Sequence, residues 1–286
     1  MKTIKDVFTE FKQPLGTIYD PNEIEALTLL VINELTGTSK AKIKAFPEQE
    51  VTSIEVEKLN TILKRLQNGE PVQYIFGHTE FYGLPFNVNP SVLIPRPETE
   101  ELVEWALSSV VNSEWAGNIL DIGTGSGCIA ISLKKNLSNA SVSAVDISPD
   151  ALKTAKQNAG LNNVDVTFIN DDILNIKSKI ENSKFEIIIS NPPYVTLHDK
   201  TQMHTNVTDF EPHTALFVPE NDPLIFYKAI TNFAAKNLTS DGLLFFEINE
   251  SLGNETIELL KDKGFKNIEL RKDMSGRNRM IRATRF

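Results

Sequence analysis

Residues 119–133, ILDIGTGSGCIAISL, set a strand, a glycine turn and a helix end to end. Ile119 to Ile122 is a short, mostly apolar run, as a buried strand requires. Gly123, Gly125 and Gly127 follow at alternate positions, where the backbone can approach a ligand without a Cβ in the way. The apolar pattern resumes at Cys128, and the first N–H groups of the helix it opens are free to donate. About twenty residues further on, Asp146 ends a second strand, SVSAVD (141–146), a spacing suited to a carboxylate that grips ribose hydroxyls.

Outward from this unit the chain alternates. A helix (98–111) precedes the strand NILDIG (118–123), and a helix starts at Pro149. Strands follow at DVTFIN (165–170) and FEIIIS (185–190), then a helix over 223–236, the strand GLLFFEI (242–248) and a helix through Leu260. Strands separated by helices predict a mostly parallel sheet covered on both faces, an α/β, Rossmann-like fold. NIELRKD (267–273) and RMIRATRF (279–286), joined by MSGRN, read as a C-terminal antiparallel hairpin. The chain before this domain differs. Residues 1–75 read as a small helical domain, with Asp20, Pro21 and Gly37 as start and stop signals of one helix. Thr52 and Glu55 have capping-box spacing, and Gly69 and Pro71 end that second helix. Residues 76–97, with TEFYGLPFNV at their centre, read as a hairpin linker, and 98–286 as the ligand-binding domain.

The bulk numbers narrow the classes. With 286 residues, 41% hydrophobic and 23% charged, the chain has the make-up of a soluble protein of one large or two modest domains. No apolar run reaches the ~20 residues of a membrane span, and the N-terminus has no signal-peptide pattern. One cysteine, Cys128, excludes an intramolecular disulfide and fits a cytoplasmic setting. The formal net charge of −9 makes direct nucleic-acid binding unexpected, because phosphate contacts supply most of that affinity.

Two further strand ends carry polar residues. INDDIL (169–174) places Asp171 and Asp172 after the third strand, and SNPPY (190–194) ends the fourth. Asn-Pro is a turn signal, but here it should lie on the rim that also holds Gly123, Asp146 and Asp172, where open α/β sheets bind ligands. Proline lacks an N–H and has a fixed φ, so Pro192 and Pro193 leave carbonyls available. Pro192 also favours an extended Asn191. An acceptor pair made of the Asn191 side-chain oxygen and the Pro192 carbonyl would draw the hydrogens of a planar NH2 group, and Tyr194 could stack on it.

The glycine loop, preceded by Asp121, resembles motif I of class I S-adenosylmethionine-dependent methyltransferases. NPPY resembles motif IV of those that methylate amino groups. PVQYIFG, IPRPETE, DIGTGSGCIA, AVDIS, NPPY, EPHTAL and GRNRM stand in the order found in the peptide chain release factor N(5)-glutamine methyltransferase family, from Pro71 to Met280. The resemblance implies methylation of the glutamine amide in the Gly-Gly-Gln loop of class I release factors, using S-adenosyl-L-methionine. It implies that Gly123, Thr124, Gly125, Ser126, Gly127 and Asp146 bind the cofactor. Asp172, or its neighbour Asp171, would lie at the adenine. Asn191 is the implied catalytic residue, also touching the cofactor, and Asn191, Pro192, Pro193 and Tyr194 hold the glutamine. Arg96 and Glu98 would shape the site, and the helical domain would dock the factor at a distance from the chemistry. The expectation is a cytoplasmic monomer acting on a protein, with no membrane and no nucleic-acid partner.

Two other readings compete with it. NPPY also occurs in adenine-amino methyltransferases acting on DNA or RNA, against which stand the net charge and the lack of a domain for extruding a base. A cofactor-binding module without catalysis is opposed by the intact Asn191 and Tyr194. His198, His204 and His213, with Asp199 and Asp209, match no metal-ligand spacing, so no metal is expected. Cys128 opens a helix, where a thiol pKa can fall, but reads better as a packed small residue. The C-terminal arginines, Arg271 to Arg285, read as charge protecting a sheet edge rather than as a contact for an acidic partner.

Overall fold

The computed structural model describes residues 2–110, 114–201, 203 and 205–285. Val111 and Phe286, at the ends of two elements expected from sequence, lie outside them. The chain divides into a unit running to Phe76, together with residues 205–210, and a larger unit holding the rest.

The smaller unit contains helices α1 (Ile4–Leu15), α2 (Pro21–Thr36), α3 (Lys40–Ala45), α4 (Ser53–Gln67) and α5 (Val72–Phe76). The two-residue strands β1 (Lys2–Thr3) and β2 (Glu50–Val51) pair antiparallel. Its local signals are used as the sequence suggests. The Asp20 carboxylate accepts from the N–H groups of Asn22 and Glu23, and Gly37 closes α2 at φ 65°. Thr52 and Glu55 form a reciprocal capping box on α4. Phe11, Leu15, Ile32, Ile43, Leu59 and Leu66 are buried in its core.

The larger unit opens with a hairpin, β3 (His78–Phe81) and β4 (Leu84–Asn87). Its two turn residues, Tyr82 and Gly83, both have positive φ, as the twist of a tight hairpin requires. Then come α6 (Pro97–Ser108), β5 (Asn118–Ile122), α7 (Cys128–Asn136), β6 (Ser141–Asp146), α8 (Pro149–Leu161), β7 (Thr167–Asn170) and β8 (Phe185–Ser190). After two short helices of this unit, Leu197–Lys200 and His213–Leu216, follow α9 (Ile225–Asn237), β9 (Leu238–Glu247), α10 (Gly253–Asp262), β10 (Lys266–Lys272) and β11 (Asn278–Thr284). One seven-stranded sheet runs in the order β10-β11-β9-β8-β5-β6-β7. Strands β5 to β9 are parallel, and β10–β11 is the antiparallel hairpin at one edge. This is the expected α/β class, a mostly parallel sheet with a C-terminal hairpin.

Each face of the sheet is covered. Trp105, Ile129 and Leu133 pack with Ile119, Ile187 and Phe245 on one side. Tyr227, Ile230 and Leu260 pack with Leu120, Ile188 and Phe246 on the other. The order reverses at β5, where β6 and β8 lie on opposite sides. A crevice opens beyond the carboxyl ends of the strands at such a point.

Candidate active site

The glycine loop follows β5 and is tied to its neighbour. The N–H groups of Gly123 and Thr124 donate to the Val145 carbonyl at 2.9 and 3.1 Å, and that of Gly125 to Asp146 Oδ2 at 2.8 Å. Gly125 has φ 55°, and a Cβ built there meets nothing within 4 Å, so the backbone faces open space. Gly127 has φ 83°, and a Cβ there would stand 2.8 Å from Ile131 Cδ1 and 3.1 Å from Ala155 Cβ. One glycine leaves room for a ligand and the other lets α7 approach α8. Asn158 of α8 braces the loop from behind. Its Nδ2 donates to the carbonyls of Ser126 and Asn87 at 2.9 and 3.0 Å, and its Oδ1 accepts from the Asn87 N–H at 2.7 Å.

Two carboxylates and one thiol lie around this loop. Asp146 has its pKa raised by burial, against the N–H donors of Ser148 and Gly125. A carboxylate has roughly four acceptor positions, so Asp146 keeps acceptor capacity for a ligand. Asp121 lies beneath the loop, fully buried, with Thr124 Oγ1 donating to its Oδ2 at 2.6 Å. Burial pushes its pKa up to about 7. Cys128 is packed in the core, and burial pushes its thiol up to about 12, the reverse of activation at a helix start.

The pair after β7 divides its work. Asp171 accepts from the N–H groups of Asp172, Lys177 and Ser178, which folds the turn and fills both of its oxygens. Those bonds hold its pKa low against the opposing effect of burial. Among the described residues, Asp172 accepts only from Leu174 N–H, at 2.9 Å on Oδ1, and its Oδ2 takes no bond.

At the end of β8, Ser190 Oγ donates to the Ile122 carbonyl at 2.6 Å and locks the two strand ends together. Asn191 Nδ2 donates to Thr99 Oγ1 at 3.2 Å, and Thr99 donates to Glu247 Oε2 at 2.6 Å. Tyr194 Oη donates to the other oxygen, Glu247 Oε1, at 3.0 Å. Among the described residues, no hydrogen bond reaches Asn191 Oδ1 or the Pro192 carbonyl. Tyr194 departs from the stacking role. Its ring packs against the core beneath the sheet and does not line the cavity. It holds the motif from behind, helped by Asn249 Nδ2 donating to its carbonyl at 3.2 Å.

These pieces enclose a cavity of about 350 Å3. Gly123 to Ser126, Asp146, Asp171, Asp172, Asn191, Pro192 and Pro193 line it, with Leu93, Ile147 and Phe226 among the apolar walls. Gly127 sits behind the loop instead. Arg96 lines the cavity too, paired with the buried carboxylate of Glu211. Glu211 also accepts from Ile94 N–H at 3.1 Å, so the segment after residue 210 is fastened to IPRPETE. Glu98 does not line the cavity. Thr99, Glu211 and Glu247 are the residues that sequence reasoning passes over. Thr99 stands inside IPRPETE, and Glu247 ends a parallel strand as Asp146 does.

The remaining candidates have other work. Asp199 caps a short helix with Thr196 and accepts from Asn249, and His213 packs edge-on against Phe217. His204 lies outside the described residues. Among the described residues no group of three His, Cys, Asp or Glu is placed to hold a metal ion. Arg271 and Arg282 flank the Trp105 ring and both bond Glu269, while Arg279 pairs with Asp273.

Similarity agrees with the architecture. The model of the methyltransferase small domain matches residues 105–210, and that of the PrmC N-terminal domain matches residues 7–77. A Flavobacterium psychrophilum protein named release factor glutamine methyltransferase is 49% identical over 281 residues, 98% of each chain. The chain belongs to the release factor glutamine methyltransferase family. A second member, from Bacteroides thetaiotaomicron, is 42% identical, covering 96% of this chain and 97% of its own. The family's fold extends to remoter solved structures. A Pyrococcus furiosus methyltransferase superposes with a TM-score of 0.52 at 16% identity, covering 71% of this chain and 90% of its own. A T. thermophilus 16S rRNA methyltransferase, solved with AdoMet and guanosine, also gives 0.52, at 20% identity, covering 73% and 50%. No described helix is long and apolar enough to cross a membrane.

Proposed function

We propose that this protein transfers a methyl group from S-adenosyl-L-methionine to the side-chain amide nitrogen of the glutamine in the Gly-Gly-Gln loop of class I peptide chain release factors. The observation that carries the reading is a pair of acceptors that no described residue uses, Asn191 Oδ1 and the Pro192 carbonyl, beside a cavity floored by the glycine loop.

The cavity residues suit the cofactor. Gly125 leaves space where any other residue would set a Cβ, Asp146 has acceptor positions left for ribose hydroxyls, and Ile147 offers an apolar face beside them. Asp172, with an oxygen to spare, is the better partner for an adenine amine than Asp171. When bound, S-adenosyl-L-methionine supplies a methyl group made electrophilic by a sulfonium.

The chain's own residues must do the rest at the nitrogen. An amide nitrogen is a poor nucleophile because its lone pair is delocalised into the carbonyl. Asn191 Oδ1 and the Pro192 carbonyl would each accept one hydrogen of the glutamine NH2, which fixes its plane and pulls the nitrogen toward a pyramidal geometry. Orientation of this kind can supply roughly 7–11 kcal/mol of a barrier. No strong base is needed, since the proton can leave after attack. Arg96, Glu211 and Pro193 hold the wall through which the side chain would enter.

We assign residues 1–75 to docking of the factor, 76–97 to a hairpin linker and 98–286 to catalysis, in a monomer working in the cytoplasm without a nucleic-acid partner. The test is transfer of labelled methyl from S-adenosyl-L-methionine to purified release factor, run beside a factor with Gln→Ala in the loop and beside DNA. Label on the intact factor alone is expected. Label on DNA and none on the factor would overturn the reading in favour of an adenine-amino methyltransferase.

A further inference from the structure

Asn191 presents an oxygen on one side of its amide and an NH2 on the other, two groups of nearly the same shape. If the oxygen is to accept from a substrate NH2, the opposite orientation has to be excluded. Nothing within the Asn-Pro-Pro-Tyr segment does this. The geometry around it does.

Asn191 Nδ2 lies 3.2 Å from Thr99 Oγ1. That hydroxyl has one proton, and it lies 2.6 Å from Glu247 Oε2. Thr99 is 3% exposed and Glu247 2%, so no solvent competes for either group. A carboxylate only accepts. Glu247 therefore takes the Thr99 proton, and Thr99 has only a lone pair to offer Asn191. An oxygen turned toward Thr99 would face another oxygen without a hydrogen between them, in a buried place where an unmade bond is costly. Glu247 is itself held in orientation, because Tyr194 Oη donates to its second oxygen at 3.0 Å. Burial raises the Glu247 pKa, with the Glu98 carboxylate acting the same way, while the bonds from Thr99 and Tyr194 and the positive charge of Arg279 favour its ionised, accepting form.

We propose that Thr99 and Glu247 are positioning residues that set the direction of the Asn191 amide, so that its oxygen and not its NH2 meets the substrate. This rests on the functional reading above. The polarity runs one way, from Asn191 through Thr99 into Glu247, and begins and ends on the acceptor motif, since Tyr194 closes it from the other side. IPRPETE and NPPY are thus one device contributed by separate parts of the chain.

Three variants test it in the full chain: Thr99→Val, which keeps shape but loses the lone pair and the proton; Thr99→Ser, which keeps both; and Glu247→Gln, which adds a donor at the end of the relay. Thr99→Val should lower kcat for methyl transfer to the release factor by on the order of tenfold, the worth of one such hydrogen bond. Cofactor affinity by calorimetry should stay within about twofold, because the loop contacts are untouched. Thr99→Ser should restore kcat to within about threefold of the original, and Glu247→Gln should fall between. The decisive measurement uses the residual rate of Asn191→Ala. Adding Thr99→Val to it should cost nothing more if Thr99 acts through Asn191. A further tenfold loss in that background, or an unchanged kcat in Thr99→Val alone, overturns the inference while leaving the activity established. An original protein that transfers nothing to the factor overturns the functional reading, and this inference with it.

Discussion

At the scale of single residues, the site is a set of polar groups that have been partly used by the fold and partly kept back. Asp146 spends two acceptor positions on the loop, Asp171 spends all of its own on a turn, and Asn191 keeps its oxygen. Removing what is kept back should hurt chemistry more than folding. Asn191→Ala is expected to cost roughly 2.7–4 kcal/mol of transition-state stabilisation, by analogy with the loss of one oxyanion donor. Calorimetric titration of S-adenosyl-L-methionine should show affinity largely intact, while single-turnover methyl transfer falls by two to three orders of magnitude, about the same energy. Removing what is spent should do the reverse. Asp171→Asn should loosen the turn over 171–178 and lower Tm, whereas Asp172→Asn should leave Tm unchanged and weaken cofactor affinity about tenfold, the value of one hydrogen bond to a charged group. Thermal melts and titrations on the same two variants decide between them.

At the scale of elements, α8 is the brace for both the glycine loop and the β3–β4 hairpin, through one buried amide. Asn158→Ala removes the three hydrogen bonds of that side chain to Asn87 and Ser126, so stability should fall by about 2–4 kcal/mol. Cofactor affinity should fall with it, because the loop loses its support. Urea unfolding read beside calorimetric titration checks both. This element scale also shows what a sequence can reveal. The glycine loop, Asp146 and Asn191 were legible because strand periodicity fixes where a strand ends, and the carboxyl ends of parallel strands share a rim. Thr99 and Glu247 were not. Their bond spans 148 positions and joins a helix to a strand, and no periodic pattern marks a hydroxyl that faces a carboxylate. Tyr194 shows the complementary limit. Sequence places an aromatic ring at the site, but only packing decides that the ring turns into the core and leaves its hydroxyl to work.

At the scale of the whole molecule, burial sets how the fold responds to acid and to oxidants. Asp121 has its pKa raised from 3.8 to about 7, chiefly by burial. A raised carboxyl adds stability that is complete below the unfolded value and is lost as pH climbs through the folded one. Relative to Asp121→Asn, which stays neutral, the original protein should therefore lose up to about 4 kcal/mol between pH 4 and pH 8. Urea midpoints of the two proteins across that range test it, and parallel curves would show that Asp121 stays charged throughout. The one thiol obeys the same logic: Cys128 lines the inner wall of the cavity, and burial keeps it protonated at any working pH. The folded protein should then react with a thiol reagent far more slowly than the unfolded chain. That slowness has a practical use. Ile147, 59% exposed, lines the cavity proposed for the cofactor, and Ile147→Cys would set a reactive sulfur on that wall at the expense of its apolar face. A fluorophore attached there would share the wall with any ligand that enters and report its arrival by displacement, over little background label.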